Sequence, residues 1–186
     1  MSPKKFMLLV IVLLILLGSG GYVAYKYLDS DFTQVGRQIT SSSGNFTVSV
    51  PLKWKKIDPS SDRSILAAQS GDQDMYMQIS LDAEAVGEGT IEEHVEEYIN
   101  DIAQKSDNSD SQVIVVAPRQ RRINGHQGLY YELESVSEDM EIHLWCFCYP
   151  STSGYVHIDV SAPRNETEND ADIATGIIES IQQKSA

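Results

Sequence analysis

Apolar and polar residues alternate most regularly between Gly125 and Pro163. Three runs in this stretch are rich in aromatic and β-branched residues, and turn residues separate them: Leu129–Val136, Met140–Tyr149 and Tyr155–Ala162. Strands of a half-buried sheet have this two-residue period and this composition. The stretch therefore predicts a three-strand antiparallel meander, around which the rest of the domain is organised.

The turns between these runs determine which side chains share a face of the meander. We take Glu138–Asp139 as a two-residue turn and Pro150–Gly154 as the loop of the second hairpin. Directly opposed residues of an antiparallel pair lie on the same face, so one apolar face then runs through all three strands. The predicted pairs are Leu133 with Leu144, Tyr131 with Cys146, Glu134 with His143, Cys146 with Ile158, and Leu144 with Val160.

The remaining pattern predicts elements before and after the meander. Thr90 and Glu93 have the spacing of a capping box, and apolar residues follow at helical period. The predicted elements are a strand at Asn45–Pro51, a hairpin of Ser64–Ser70 and Met75–Leu81, a helix from Thr90 to about Lys105, a strand at Gln112–Ala117 buried on both faces, and a last helix to about Gln183. The expected fold class is α+β, with helices on both faces of one antiparallel sheet (an α/β/α sandwich).

The beginning of the chain predicts a membrane segment. Residues 6–25 carry no charge, and Lys4 and Lys5 precede them. A span of this length can cross the ~30 Å hydrocarbon core, and the lysines then keep residues 1–5 in the cytoplasm. Gly18–Gly21 also suits the cleavage site of a signal peptide. The domain is exported under either interpretation: it is extracytoplasmic on a single-pass membrane protein, or secreted if the segment is cleaved.

Composition narrows the choice of partners. Residues 26–44 are polar and read as a linker to a domain at 45–183. The net charge is −13, and all 27 acidic residues lie at or after Asp29. Nucleic acids and anionic lipid headgroups are bound by basic patches, so we predict no nucleic-acid partner. The predicted contact with the membrane is through residues 6–25 alone.

From Asn45 to about Gln183 the chain resembles the PsbP-like superfamily. The resemblance rests on Phe46-Thr-Val-Ser-Val-Pro51 followed by Trp54, on Ile123-Asn124-Gly125 before a long strand, and on the amphipathic last helix. The family includes photosystem accessory proteins, exported bacterial DcrB-like and LpqN-like proteins, and a nuclear import factor that binds the Ran GTPase. It implies an α/β/α sandwich with a binding or assembly role and no common cofactor or reaction.

The meander face opposite the predicted apolar one carries the most suggestive polar residues. Under the predicted registers it holds Glu132, Glu134, Glu141, His143, Trp145, Phe147, Tyr149, Tyr155, His157 and Asp159. Carboxylates and imidazoles on neighbouring strands can hold zinc, and an aromatic patch packed under a helix is the alternative. The candidate ligand or partner surface consists of Trp54, Glu134, His143, Trp145, His157 and Asp159.

Two cysteines lie two positions apart in the middle predicted strand. The β-carbons of Cys146 and Cys148 would be ~6–7 Å apart there, too far for a disulfide. The predicted registers place them opposite Ile158 and Val156, which favours two buried free thiols. Half of a soft-metal or thiol-redox site is the alternative. The candidate metal ligands are thus His143, His157, Asp159, Cys146 and Cys148, whereas His94 on the predicted helix is isolated.

Known catalytic motifs are absent from the sequence. It contains no G-x-S-x-G, no phosphate-binding loop, no H-E-x-x-H and no Cys-x-x-Cys. We therefore predict a non-catalytic protein without a cofactor that binds a protein partner or assists assembly at the cell envelope. Two alternatives stay open: an exported protein that binds a metal or small ligand on the His143, His157 and Asp159 face, and a structural envelope protein without a specific ligand.

Overall fold

The computed structural model describes residues 36–59, 61–72, 74–83, 89–105, 113–137, 140–163 and 168–184. Within these residues the chain forms ten strands and two helices. The strands are β1 (Arg37–Thr40), β2 (Phe46–Val50), β3 (Lys55–Ile57), β4 (Ser64–Gln69), β5 (Tyr76–Asp82), β6 (Val113–Ile123), β7 (His126–Ser137), β8 (Met140–Ser151), β9 (Gly154–Pro163) and β10 (Gln182–Gln183). The helices are α1 (Ile91–Lys105) and α2 (Glu168–Glu179).

The strands form two antiparallel sheets. The larger has seven strands in the order β3-β4-β5-β9-β8-β7-β6, and the smaller has three in the order β1-β2-β10. The predicted meander is β7-β8-β9, and the predicted hairpin is β4-β5. β5 pairs with β9, which joins the hairpin to the meander in one continuous sheet.

The first hairpin of the meander has the predicted register. Leu133 pairs with Leu144, Tyr131 with Cys146, and Glu134 with His143. Ser137 pairs with Met140, as a two-residue turn requires, although residues 138–139 lie outside the described part of the chain. The neighbouring β6–β7 hairpin also turns where Asn124-Gly125 predicts. These two residues have φ values of 48° and 87°, which the left-handed turn of a tight hairpin requires.

The register predicted for the second hairpin of the meander is wrong by one residue. Cys146 pairs with Asp159 rather than Ile158, and Leu144 pairs with Ser161 rather than Val160. The strands stay paired as far as Ser151 and Gly154, so the loop has two residues instead of the five of the predicted loop, Pro150–Gly154. A shift of one residue moves every side chain of β9 to the other face of the sheet. His157 and Asp159 therefore lie on the Cys146 face, opposite to the predicted one.

The two helices cover opposite faces of the large sheet, as predicted. α1 packs on a cluster of Leu129, Tyr131, Leu133, Cys146 and Cys148. α2 packs on the larger core, which includes Trp145, Phe147, Tyr149, Val156, Ile158 and Val160. The predicted stripe of α2, Ala174, Ile177, Ile178 and Ile181, is fully buried. The capping box of α1 is also confirmed, because the Glu93 backbone donates to the Thr90 hydroxyl and the Thr90 backbone donates to the Glu93 carboxylate.

Several element boundaries differ from the predicted ones. Residues 37–40 of the predicted linker form β1 and pair with β2, so the folded domain begins before residue 45. The last helix ends at Glu179, and Gln182–Gln183 form a short strand beside β2. β6 is an edge strand, with Val116 half-buried and Ala117 exposed, so the predicted burial on both faces is wrong there.

The predicted membrane segment at residues 6–25 lies outside the described part of the chain. Neither helix of the described part is both long enough and apolar enough to cross a membrane.

Candidate functional site

Three metal-ligating side chains meet between α1 and the large sheet. Cys148 on β8 and His157 on β9 are directly opposed in the sheet, so both point to the face that α1 covers. His94 reaches them from α1, whose buried stripe also includes Val95 and Tyr98. The site thus combines two consecutive strands with a helix that lies well before them in the sequence, and we call it the His94–Cys148–His157 site.

The ligand atoms of this site converge. Nε2 of His94 and Nε2 of His157 are 2.8 Å apart, and Sγ of Cys148 is 3.6 Å from the same His157 nitrogen. All three ligand atoms lie within 4.8 Å of one another. Three donors can surround one point only when they are this close.

Aromatic rings enclose the site on two sides. The Tyr155 ring stacks on His94, with centroids 4.2 Å apart and an angle of 14° between the planes. The Tyr98 ring lies against His157 at a centroid distance of 4.1 Å. These contacts hold both imidazoles and exclude water from the inner part of the site.

A buried carboxyl group extends the polar cluster. The Tyr98 hydroxyl donates a hydrogen bond of 2.8 Å to Oδ2 of Asp159, which pairs with Cys146 across the sheet. Burial raises the pKa of Asp159 to about 6, against the lowering effect of hydrogen bonds from Tyr98 and Cys146. Burial and the nearby Asp159 carboxylate also raise the pKa of the Tyr98 hydroxyl, which therefore stays a donor.

The electrostatics of the three candidate ligands follow from their burial. Burial, with a smaller effect of His94, lowers the pKa of His157 to about 3, and burial also lowers the pKa of His94. Neutral imidazoles are the form that binds metal ions. Burial, with the Asp159 and Asp82 carboxylates, raises the pKa of the Cys148 thiol. A metal ion would therefore have to displace the thiol proton on binding.

The geometry of the site is close to that of a metal centre. Tetrahedral zinc, with bonds of about 2.0–2.1 Å to nitrogen and 2.3 Å to sulfur, places two nitrogens about 3.3 Å apart and nitrogen and sulfur about 3.6 Å apart. The Cys148–His157 separation already has this value. The two imidazole nitrogens, which are now at a hydrogen-bond distance of 2.8 Å, would have to separate by about 0.5 Å for both to bind the ion.

The candidate residues named from the sequence do not form one surface. His157 and Asp159 lie under α1, whereas Glu134, His143 and Trp145 lie on the other face, so the predicted shared face is wrong. Nε2 of His143 is 3.2 Å from Oε2 of Glu132, Nδ1 is 3.9 Å from Oε1 of Glu134, and the ring packs on Trp145 at 4.4 Å. Of the predicted metal candidates, Cys148 and His157 meet in the site.

The structure also bears on the predictions for Trp54 and for the two cysteines. Trp54 is only 2% exposed and packs in the core beneath α2, so it does not offer its ring to a ligand. Cys146 and Cys148 are buried free thiols, as expected, but they pair with Asp159 and His157 instead of Ile158 and Val156.

His94 is the residue of this cluster that the sequence does not single out. The sequence motifs leave His94 isolated, yet it lies on the same side of the helix as Ile91, Val95 and Tyr98. A histidine within an apolar stripe must be buried, and a buried imidazole needs a polar partner. That signal predicts a partner on the sheet, but the partner becomes apparent only with the correct register of β9.

Comparison with known proteins identifies the fold. No protein-family model matches the sequence, and no curated protein matches it either. Cyanobacterial PsbP (CyanoP) from Synechocystis sp. PCC 6803 superposes with a TM-score of 0.58 at 12% identity, over 81% of this chain and 93% of that one. PA94 of Pseudomonas aeruginosa, described as a putative regulator, gives 0.53 at 10% identity, over 82% and 99%.

A protein from Bacteroides thetaiotaomicron VPI-5482 is a third similar structure, with a TM-score of 0.56 at 13% identity. The match covers 82% of this chain and 50% of that protein, so the present chain spans half of its length. These likenesses define an α+β protein with the PsbP-like fold, as the sequence resemblance implied. At such low identity they define the fold alone.

Proposed function

We propose that this protein is an exported domain of the cell envelope that binds a transition-metal ion through His94, Cys148 and His157. The observation that carries the proposal is the convergence of three ligand atoms, from three separate elements, within 4.8 Å. Binding is a non-catalytic function, in keeping with the lack of catalytic motifs in the sequence.

The donor set indicates which metals fit. Imidazole nitrogen and thiolate sulfur bind zinc and copper well, whereas calcium and magnesium prefer oxygen ligands. The site offers two nitrogens and one sulfur. Three protein ligands leave one position of a tetrahedral ion for water or another small ligand. Zinc and copper are therefore the ions to test first.

Export is the second component of the proposal. Residues 6–25 carry no charge and follow Lys4 and Lys5, a pattern typical of a signal-anchor or a signal peptide. A single-pass anchor would keep the domain on the outer side of the membrane, and cleavage near Gly21 would release it. Protease treatment of intact cells or spheroplasts tests this component, because it should remove an external domain before lysis.

Partner binding is a second candidate function, favoured by the edge strand β6. Arg119 and Arg121 lie 5.3 and 5.1 Å from the centre of the Tyr130 ring, in a chain with a net charge of −13. Arginine and aromatic residues are enriched at protein interfaces. Cross-linking in membranes, followed by purification of wild type and Arg119→Ala, tests whether this edge captures an acidic protein.

The metal proposal is tested by titration of the full-length protein, purified in detergent under reducing conditions. The probes are Zn²⁺ and, without oxygen, Cu⁺, and the variants are Cys148→Ser and His157→Gln. We expect one ion per chain for the wild type. Changes around a metal site that spare its direct ligands typically cost 10–100-fold in affinity, so loss of a direct ligand should cost at least about a hundredfold.

Two matched controls keep this result specific. Cys146→Ser changes a thiol on the same face of the same strand, and His143→Gln changes a buried imidazole on the other face. Both should bind the ion nearly as the wild type does. A wild-type protein that binds neither ion at micromolar concentration, or controls that lose affinity as much as the ligand variants, would overturn the proposal.

A further inference from the structure

We propose that the metal ion reaches the His94–Cys148–His157 site as a free hydrated cation, past His94 and Tyr155, and that Glu97 at this opening draws it in. The inference rests on the proposed function, and it adds the form in which the ion arrives and a residue that controls its arrival without binding it.

The burial of the three ligands indicates the side from which an ion can arrive. Cys148 is fully buried, His157 is 2% exposed, and His94 is 9% exposed. His94 is thus the ligand nearest to solvent. Tyr155, which stacks on it, is also only partly buried. An incoming ion therefore meets His94 first and the inner pair afterwards.

The other sides of the site are closed by packed side chains. Tyr98 covers His157, and its hydroxyl is fixed by the hydrogen bond to Asp159. Leu129 and Val95 are buried in the same cluster. Passage through these groups would require the helix to lift from the sheet. At the outer edge the described side chains in the way are the stacked rings of His94 and Tyr155.

Carboxylates surround this opening. Glu97 lies three positions after His94, on the same side of α1, and it is exposed. Asp82 pairs with Tyr155 across the sheet, and Glu92 and Glu93 act electrostatically on the same tyrosine. Arg63 is a described cation near the opening, with Nη1 3.5 Å from Oδ2 of Asp82. Among the described residues, these four carboxylates and one guanidinium give the opening an excess of negative charge.

The negative potential at this opening should affect the rate at which a cation associates with the site. A cleft lined by one sign of charge concentrates ions of the opposite sign and raises their on-rates, and salt screens the effect. Glu97 acts electrostatically on His94, yet it does not belong to the group of converging ligand atoms. Loss of its charge should therefore slow arrival of the ion and leave its departure unchanged.

The chain provides a matched pair of variants. Glu96 and Glu97 are adjacent, exposed and of equal charge, but the helical turn directs Glu96 away from His94. The experiment is stopped-flow binding of Co²⁺, followed by its absorption, to the full-length protein with Glu97→Gln or Glu96→Gln. At low ionic strength we expect Glu97→Gln to lower the association rate on the order of fivefold and Glu96→Gln to change it by less than about twofold.

The dissociation rate, the salt dependence and a variant of Tyr155 provide further tests of the inference. The dissociation rate into excess chelator should be equal in both variants, and the difference in association rate should disappear at about 1 M salt, where the Debye length is about 3 Å. Tyr155→Ala should speed both binding and release, because it opens the outer edge. Equal association rates for the two glutamine variants would overturn the inference while one Co²⁺ still binds. Absence of binding to the wild type would instead overturn the proposed function.

Discussion

The two faces of the seven-stranded sheet are both well buried, but different kinds of side chain fill them. Under α2 lie Phe147, Ile158 and Val160, which are completely enclosed. Under α1 lie His157 and Asp159, each adjacent in sequence to one of those apolar residues. Because side chains alternate along a strand, β9 contributes apolar residues to the α2 face and polar residues to the α1 face.

The difference shows which face has to support the fold. Apolar burial contributes about 25 cal/mol per Å² and needs no specific partner. Buried polar groups lower stability unless they are hydrogen-bonded, and even then their net contribution is small. The α2 face, with the larger apolar core, should therefore supply more of the stability, and the α1 face combines a smaller apolar cluster with a polar site.

The largest expected effect is on the α2 face. Phe147→Ala removes a fully buried ring and leaves a cavity, so we expect a loss of about 3–5 kcal/mol in the free energy of unfolding. The neighbouring Cys146→Ala, on the α1 face, removes one sulfur atom and should cost about 1 kcal/mol. Denaturant unfolding of the metal-free protein measures both. Similar losses of unfolding free energy for the two variants would show that the α2 face does not contribute more to stability than the α1 face.

The order and pairing of the strands could be predicted from the sequence more accurately than the residues of the site. The β7–β8 register follows from a two-residue turn and an alternating pattern, and the structure has it. The predicted β8–β9 loop, Pro150–Gly154, placed Ile158 and Val160 opposite Cys146 and Leu144, on what then looked like one apolar face. Both faces of β8 accept apolar residues, since Phe147 is as buried as Cys146. Hydrophobicity therefore could not decide this register.

The observed register is accompanied by a special backbone conformation at Gly154. Gly154 has a φ of 131°, and a β-carbon there would collide with the backbone carbonyl of Asp82. Gly154 also pairs with Ser151 on the other side of the two-residue turn, so it is packed between β5 and β8. This packing depends on a strand 70 residues earlier, so local pattern does not reveal it. The observed register of β9 also places His157 on the α1 face, where it contacts His94.

The second prediction concerns the polar face and pH. The pKa of Asp159 is raised from 3.8 to about 6, chiefly by burial. Between these values the folded protein keeps a proton that the unfolded chain has lost, so the contribution of Asp159 to stability falls as pH rises. A shift of about two units corresponds to about 3 kcal/mol. Asp159→Asn lacks this group, so its stability relative to wild type should rise by up to about 3 kcal/mol between pH 4 and 7.

His157 responds in the opposite direction. Its pKa is lowered from 6.5 to about 3, so between these values only the unfolded chain takes up the proton, and rising pH stabilises the fold. The two groups oppose each other between pH 4 and 6 in the wild type, and Asp159→Asn should show the steeper dependence due to His157. Unfolding with a chelator present, at several pH values, measures this. A difference between the two proteins that is constant with pH would contradict it.

The smallest expected effect tests whether α2 is attached by apolar packing alone. The Asn124 side-chain amide donates hydrogen bonds of 2.6 Å to the Glu179 carbonyl and 2.9 Å to the Ile181 carbonyl, at the end of α2. Asn124→Asp replaces the donor by a carboxylate that faces two carbonyl oxygens and the negative end of the helix dipole. We expect a loss of about 1–3 kcal/mol in the free energy of unfolding.

Asn124→Gly is the matched control, because glycine also accepts the positive φ of 48° but only removes the donor. It should cost less than the aspartate variant, and the difference should shrink at high salt as the repulsion is screened. Hydrogen exchange locates the effect: the amides of Ile177, Ile178 and Ile181 should exchange faster in Asn124→Asp, while those of Val95 and Ile99 in α1 keep their protection. Equal acceleration in both helices would mean that the two faces unfold together and that the polar face is no more independent than the apolar one.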